Sequence, residues 1–266
     1  MHLTASQLQT FHRDGVLLLP GLFASAEVAA LRAGFDAICA EDTPANVRER
    51  GGGAVRTAMG LHLRHPTFAR VVRDARLIEP AQQILGDDAL YVQQVKVNVK
   101  AAFEGEAWQW HYDFATHHAE DGVPQPLALN LHVFLDDVTQ FNGPLHFITG
   151  SHRHGQQPAF LDTQSTSYEL WCVRREVVAR LVGEGALLAA TGAAGTGLIF
   201  GDLLVHSSPP NLSPFDRRIF SLILNPVRNA YTRTQRPDWK HHRDLSPVAA
   251  VRGELHAAHD RATPAP

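Results

Sequence analysis

From about residue 89 the apolar period of this chain shifts from 3.6 to 2, and it holds there to about residue 230. The segments ALYVQQVKVNVK, QWHYDF, LALNLHVFLDDV, PLHFI, GTGLIFGD and RRIFSLILNPV read as strands, parted by turn signals such as Asn142-Gly143-Pro144 and Gly150-Ser151. A chain that begins with helical patterns and continues in strands has few ways to bury both. The pattern predicts a mainly β core, a sandwich or barrel, with flanking helices packed outside it.

The helical flank, residues 1–88, opens with Thr4 and Gln7 at capping-box spacing, which predicts a helix to about His12, stopped by Gly15. VLLLPGLF (16–23) is an apolar strand cut by Pro20 and Gly21. Within 25–40, Val28, Leu31, Phe35 and Ile38 fall at helical spacing, with Ser25 a capping candidate. Residues 42–60, with Pro44 and Gly51-Gly52-Gly53, predict a mobile loop and a candidate lid, with Arg56 beyond the glycines; further helices are expected at 66–74 and 77–86. Residues 153–192 interrupt the β core of 89–230 and include a helical stretch near 174–184, so they read as an insertion over one mouth. The tail, 231–266, ends in ATPAP and is expected to fray at its end. No repeat or low-complexity linker divides residues 1–266, which predicts a single domain.

Composition narrows the functional classes. The formal charge of −3 comes from mixed signs with no basic run, which argues against nucleic acid and anionic membrane as partners. No segment approaches the ~18 apolar residues of a membrane span. The opening MHLTASQLQTFHRDG lacks the layout of a signal peptide, so a cytoplasmic location is expected. Cys39 and Cys172 form no framework and read as buried free thiols. The unusual number is 16 histidines.

Three strands carry a polar face: Gln94, Lys96 and Asn98 between valines; Gln109, His111 and Asp113 between Trp110 and Tyr112; Asn130 and His132 between Leu129, Leu131 and Val133. One such strand is most simply the solvated side of a sheet. Three together, rich in His, Asn, Gln and Lys, point to a polar cavity inside a barrel. Two histidines and one carboxylate on one face of a metal leave positions open for substrate and oxygen. His-x-Asp occurs three times. His12-Arg13-Asp14 lies on a helix, where residues two apart diverge. His242-Arg243-Asp244 lies in a polar tail and reads as solvated surface. His111-Tyr112-Asp113 lies on a β pattern that aims both side chains to one side, flanked by Trp108, Trp110 and Phe114. For the distant ligand, His132, His146, His152, His154 and His206 are candidates. His206, between a strand-like run and SSPPNLSPFDRR, would also bring Arg217 to the cavity, a guanidinium able to grip a carboxylate.

The blocks FHRDGVLLLPGLF, QVKVN, WHYDF…EDGVPQP, FLDDVTQFNGPLHFITGSH, HSSPPNLSPFDRR and RPDW…RDLSP, in that order over most of the chain, resemble the phytanoyl-CoA hydroxylase superfamily of Fe(II)/2-oxoglutarate dioxygenases. The chain is most similar to its branch acting on free amino acids and related small compounds, which includes leucine, proline and ectoine hydroxylases. The resemblance implies a double-stranded β-helix, a jelly-roll or cupin-like core, with Fe(II), 2-oxoglutarate and O2 as cofactor and co-substrates. It implies His111, Asp113 and His206 as iron ligands, and Arg217, Ser208, Asn98 and Trp108 around 2-oxoglutarate, with Gln94 beside them. The presence of Asp113 implies hydroxylation, because related halogenases have a small residue there. Substrate candidates are Lys96, His117, Asn130, His132 and Arg236, with Gln94 again at the border; Lys96 or Arg236 would meet a carboxylate. Lys96 and His117 stand where ectoine hydroxylases have Arg and Trp, which favours an amino acid. The expected partner is a small molecule, and the expected state a monomer or homodimer. Desaturation, epimerisation and ring closure stay open, as do a non-catalytic cupin-like binder and a zinc hydrolase.

Overall fold

Two antiparallel sheets carry the structure, a computed structural model that describes residues 1–51 and 53–255. The larger contains β1 (Val16–Leu19), β2 (Asn46–Arg48), β3 (Val55–Met59), β4 (Leu90–Lys100), β6 (Leu129–Phe134), β11 (Gly197–Gly201) and β13 (Arg217–Pro226), in the order β1-β11-β6-β13-β4-β3-β2. The smaller contains β5 (Trp108–His111), β7 (Leu145–Thr149), β8 (Ala159–Asp162), β9 (Leu170–Val173), β10 (Ala186–Ala190) and β12 (His206–Ser208), in the order β10-β7-β12-β5-β9-β8. The helices are α1 (Ala5–Asp14), α2 (Ser25–Cys39), α3 (Pro66–Val71), α4 (Ala75–Leu85), α5 (Asp113–Asp121) and α6 (Arg175–Glu184). None of the described helices is long and apolar enough to cross a membrane.

The period-2 pattern explains which way the larger sheet faces. Val95, Val97 and Val99 of β4, with Leu129, Leu131 and Val133 of β6, join one apolar cluster with Leu31, Phe35 and Ile38 of α2, Phe68 of α3 and Leu77 and Ile78 of α4. Each such side chain, fully buried, contributes roughly 1.5–3 kcal/mol. The helices thus cover the apolar face, and the polar face turns inward toward the second sheet. Across β4, β13 and β6 the register sets Lys96, Ser221 and His132 in one row, and Gln94, Ile223 and Asn130 in the next. Directly opposed residues share a face, so these rows form one wall of a cavity.

The helix expected from Thr4 is present with its capping box and a left-handed Gly15 at its end. Several expectations need correction. Ser25 does not cap α2; the Glu27 carboxylate does so by accepting the Ala24 N–H at 2.9 Å. Residues 42–60 are not a featureless loop, because β2 and β3 form a hairpin that extends the larger sheet. Residues 153–192 are not an insertion: β9 pairs with β5, and β10 with β7, so they supply three strands of the smaller sheet. Short or charged strands such as FLD and LWCV left too little alternation to read. The strand expected through Phe114 ends at His111, and Asp113 is the first residue of α5. The tail packs on the body as far as it is described: Val251 bridges to Asp74, and Leu255 enters the main apolar cluster. The expected frayed end falls in residues 256–266, outside the described residues.

Candidate metal centre and substrate cavity

His206 on β12 lies directly opposite His111 on β5, and their ring centroids are 4.1 Å apart. Each ring is fixed from behind by a backbone carbonyl: His111 Nδ1 lies 2.6 Å from Gln109 O, and His206 Nδ1 lies 2.9 Å from Leu204 O. A carbonyl only accepts, so Nδ1 donates and Nε2 is left with its lone pair facing inward. Tyr112 is extended (φ −133°, ψ 142°) between strand and helix, and so delivers Asp113 beside both rings. His111 Nε2 is 3.8 Å from Asp113 Oδ1, and His206 Nε2 is 4.0 Å from Asp113 Oδ2. One donor atom from each residue lies within 4.8 Å of the others. His132 points into the same cavity, while His146, His152 and His154 do not line it.

The electrostatics suit a cation. Burial, followed by the neighbouring His206, lowers His111 to about 3, and burial lowers His206, so both rings are neutral ligands at ordinary pH. Burial would raise Asp113, but His206, Lys96 and His111 together hold it well below the usual carboxylate range. Asn130 Nδ2 donates to Asp113 Oδ2 at 2.9 Å. Two neutral imidazoles and one oriented carboxylate are a donor set for a divalent transition metal.

Arg217 opens β13 and is fully buried. Its Nε donates to Gly143 O at 3.0 Å and its Nη2 to Ser208 Oγ at 3.1 Å; Nη1 is 3.4 Å from Asn98 O. Among the described residues it has no carboxylate partner, and burial, with Arg56 nearby, lowers it to about 9. A buried guanidinium held only by neutral acceptors fits an anionic ligand group. Asn98 adds a buried side-chain oxygen with no partner among the described residues. Trp108 lies over Arg56, whose carbon is 4.0 Å from the ring centroid, and against Tyr168 at 5.2 Å. Arg56 is not a lid residue; it is buried on Glu49 and Ala107 O.

Twelve of the thirteen site residues expected from the sequence line one cavity; Ser208 does not line it and reaches the site only by accepting from Arg217 Nη2. Gln109, expected on the face of His111, instead borders an outer groove with Trp110, because the β5–β12 pairing shifts register between His206 and Ser208. Lys96 Nζ donates to Gln94 Oε1 at 2.7 Å, and Gln94 Nε2 to Lys240 O at 2.6 Å. His132 is buried with both ring nitrogens unpartnered among the described residues. Arg236, which could have been a surface residue, is fixed on Asp121. Sequence reasoning missed Asp121 and Asp202, the buried partners of Arg236 and His117, as well as His241 and Tyr168. It also missed Lys100, buried behind Arg217 on Ser208 O and Glu106 O and lowered to about 6, first by burial and then by the two neighbouring guanidiniums. The solvated reading of His242-Arg243-Asp244 holds for Arg243 and Asp244, whereas His242 packs edge-on to His62.

A jelly-roll core that presents two imidazoles and a carboxylate to one point places the protein among the non-haem metal oxygenases. The chain belongs to the phytanoyl-CoA dioxygenase (PhyH) family, whose profile matches residues 11–219. It is 39% identical over 251 residues to the L-proline trans-4-hydroxylase of Streptomyces griseoviridis, covering 91% of this chain and 93% of that one. It is 38% identical over 239 residues to the ectoine dioxygenase of Bordetella bronchiseptica, covering 85% and 77%. The crystal structure of EctD from S. alaskensis with 2-oxoglutarate and 5-hydroxyectoine superposes with a TM-score of 0.84 at 32% identity, covering 95% of this chain and 89% of that one. The same enzyme with bound Fe gives 0.83.

Proposed function

We propose that this enzyme is an Fe(II)- and 2-oxoglutarate-dependent dioxygenase that hydroxylates an unactivated C–H of a free L-amino acid or a closely related small molecule, releasing succinate and CO2. The observation that carries the reading is the convergence of His111, Asp113 and His206 on one point, with the carboxylate-free guanidinium of Arg217 in the same cavity. Iron, when bound, supplies the activation of oxygen that the oxidative decarboxylation of 2-oxoglutarate drives.

The protein supplies the rest. His111, Asp113 and His206 hold the ion, and Asn130 keeps the Asp113 carboxylate turned toward it. Arg217, with Ser208 and Asn98, receives the far carboxylate of 2-oxoglutarate, and Trp108 covers it with Gln94 alongside. Leu145, Leu170 and Phe200 are the apolar lining that limits water. Lys96, His117, Asn130, His132 and Arg236 surround the place left for the substrate, and their hydrogen bonds decide which C–H faces the metal. One apolar cluster joins Leu3 and Phe11 of the flank, Val97 of the core and Leu255 of the tail, which supports a single catalytic domain over residues 1–266.

The test is incubation with Fe(II), 2-oxoglutarate and a panel of free L-amino acids plus ectoine, following succinate and a product one oxygen atom heavier. Proline leads the panel because a proline hydroxylase is among the relatives; ectoine tests the alternative that the other relatives raise. Succinate release that no compound of the panel stimulates, in iron-loaded protein, would overturn the substrate class.

A further inference from the structure

The register of β4 and β13 sets Lys100 directly opposite Arg217. Opposed residues of an antiparallel pair share a face, with Cβ atoms about 4.5–5.5 Å apart, and two like charges so placed repel. Both side chains are fully buried, where water and salt screen that repulsion least. Among the described residues neither has a carboxylate partner. Glu49 and Glu106, whose charges reach Lys100, are both held by Arg56, whose Nη1 lies 2.9 and 3.4 Å from them. Asp136, whose charge reaches Arg217, is held by Arg32 and Arg218.

The hydrogen bonds of Lys100 fit an amine better than an ammonium. Its Nζ donates to Glu106 O and, at 3.4 Å, to Ser208 O. A neutral amine has two N–H groups for those two carbonyls, whereas an ammonium has a third, which finds no acceptor among the described residues. The stem is confined as well, because a Cβ at Gly105 would stand 3.0 Å from Lys100 Cδ and one at Gly143 3.3 Å from Lys100 Cγ. The charged groups that face the amine are Arg217 from β13, Arg56 from β3, Glu49 from the β2–β3 turn and Glu106 from the segment before β5; β12 offers only the Ser208 carbonyl. Burial, followed by the two guanidiniums, outweighs the two glutamates and lowers Lys100 to about 6. Three basic side chains thus share two carboxylates, and an anion on Arg217 would bring the third.

We propose that Lys100 is a proton-linked positioning residue of the co-substrate site: a neutral amine in the free enzyme, it takes up a proton as an anionic group binds Arg217, and its charge then holds that anion from behind. This rests on the assignment of Arg217 to the far carboxylate of 2-oxoglutarate and deepens it. The proton comes from the buffer and occupies the amine lone pair. Lys100 is neutral above about pH 6 in the free enzyme and charged to higher pH in the complex. Between those two values binding consumes a proton, so co-substrate affinity falls as pH rises. The co-substrate's own carboxylates are fully ionised throughout that range.

The test is calorimetric titration of the iron-loaded enzyme with 2-oxoglutarate, without oxygen, in two buffers of different ionisation enthalpy at about pH 7. The difference in heat counts protons, and uptake should exceed about half a proton per site. The KM for 2-oxoglutarate should rise about tenfold between roughly pH 6.5 and pH 8. Lys100→Gln keeps two N–H groups for the carbonyls but cannot take the proton. Its uptake should fall below about a tenth of a proton, with a KM within about threefold of the wild type at pH 8 and roughly tenfold or more above it at pH 6.5. A lysine with a purely structural role would instead raise the KM by one factor at every pH. Lys100→Met serves the same purpose if the glutamine variant does not fold. Wild-type enzyme that binds 2-oxoglutarate without taking up a proton overturns the proposal, whatever the variants do. Uptake that survives in Lys100→Gln overturns it too, because the proton then goes elsewhere. Iron-loaded wild type that does not bind 2-oxoglutarate at all overturns the reading of Arg217 itself, a different result.

Discussion

The side-chain amide of Asn130 donates to Asp113 Oδ2 at 2.9 Å, while the other carboxylate oxygen lies 3.8 Å from His111 Nε2. An amide that fixes a carboxylate's rotation fixes which lone pair a metal meets. Asn130→Ala should weaken iron binding by about 10- to 100-fold, read by titration of the apoprotein with Fe(II) under anaerobic conditions. Unchanged affinity would show that Asp113 is oriented by its place at the start of α5 alone.

His111→Ala and His206→Ala should each remove stoichiometric iron and turnover while leaving the fold. Both rings are neutral and buried, so truncation leaves a cavity but no stranded charge, at a cost of roughly 2–5 kcal/mol. Metal analysis beside a circular-dichroism melt separates the two effects. A folded His206→Ala protein that binds iron as the wild type does would remove this histidine from the ligand set.

Arg217→Ala should raise the KM for 2-oxoglutarate by about tenfold to a hundredfold, the range expected for a charge-assisted hydrogen bond, without changing iron affinity. Arg217→Lys should recover little. The native group spreads its nitrogens over Gly143, Ser208 and Asn98, and an ammonium cannot span that set. Equal KM values for wild type and Arg217→Ala would contradict the assignment.

Much of the site was legible in the sequence because strands impose simple geometry. Alternation put Gln94, Lys96 and Asn98 on one face, and Asn130 and His132 on another, and both faces line the cavity. The polar rows could be taken as interior only because three strands shared them; the structure adds that helices cover the opposite face. His-Tyr-Asp was read through the wrong element. Asp113 belongs to a helix, and an extended Tyr112 brings it beside His111 all the same. Pattern alone left five histidines open as the distant ligand, because cross-strand register, here His206 opposite His111, depends on pairings far apart in the chain. The same reason hid Asp121, Asp202 and His241. Asp121 and Arg236 are 115 residues apart, and His241 looked like one more polar residue in a charged tail. The short strands of the smaller sheet escaped because their side chains are partly exposed and alternate weakly.

Acid should loosen the flank through Glu27. This buried carboxylate accepts from the Ala24 N–H and from Arg76 Nη1 and Nη2 at 2.9 and 2.7 Å. Burial would raise it, but Arg76 and the helix N-terminus outweigh that and lower it from 4.5 to about 2. A folded-state value below the unfolded one means that the stabilisation is complete above about pH 4.5 and is lost as pH falls toward 2. Allowing for solvent around the partly exposed Arg76, the loss is roughly 2 kcal/mol. Urea melts at about pH 6 and about pH 3 should converge for wild type and Glu27→Gln at the lower value. A stability gap of equal size at both would show that Glu27 acts through packing and not through its charge.

Gly60 connects the hairpin of β2 and β3 to the tail that bears Arg236. Its φ of +65° lies in the left-handed region, and a Cβ there would stand 2.9 Å from Trp239 Cβ and 3.1 Å from Trp239 Cα. The strain of an L side chain in that conformation is about 1–2 kcal/mol, and Trp239 can yield only by moving its own backbone. Trp239 sits in the turn where the N–H groups of Lys240 and His241 bond to Pro237 O, one residue beyond Arg236. Gly60→Ala should therefore lower the melting temperature by about 2–8 °C and also raise the KM for the amino acid, although residue 60 is none of the three iron ligands. Loss of stability with an unchanged KM would show that the turn shifts without carrying Arg236. An unaltered melt would mean that Trp239 does not pack on this glycine, and that the turn is held to the body by its other contacts, among them those of Asp121 and Gln94.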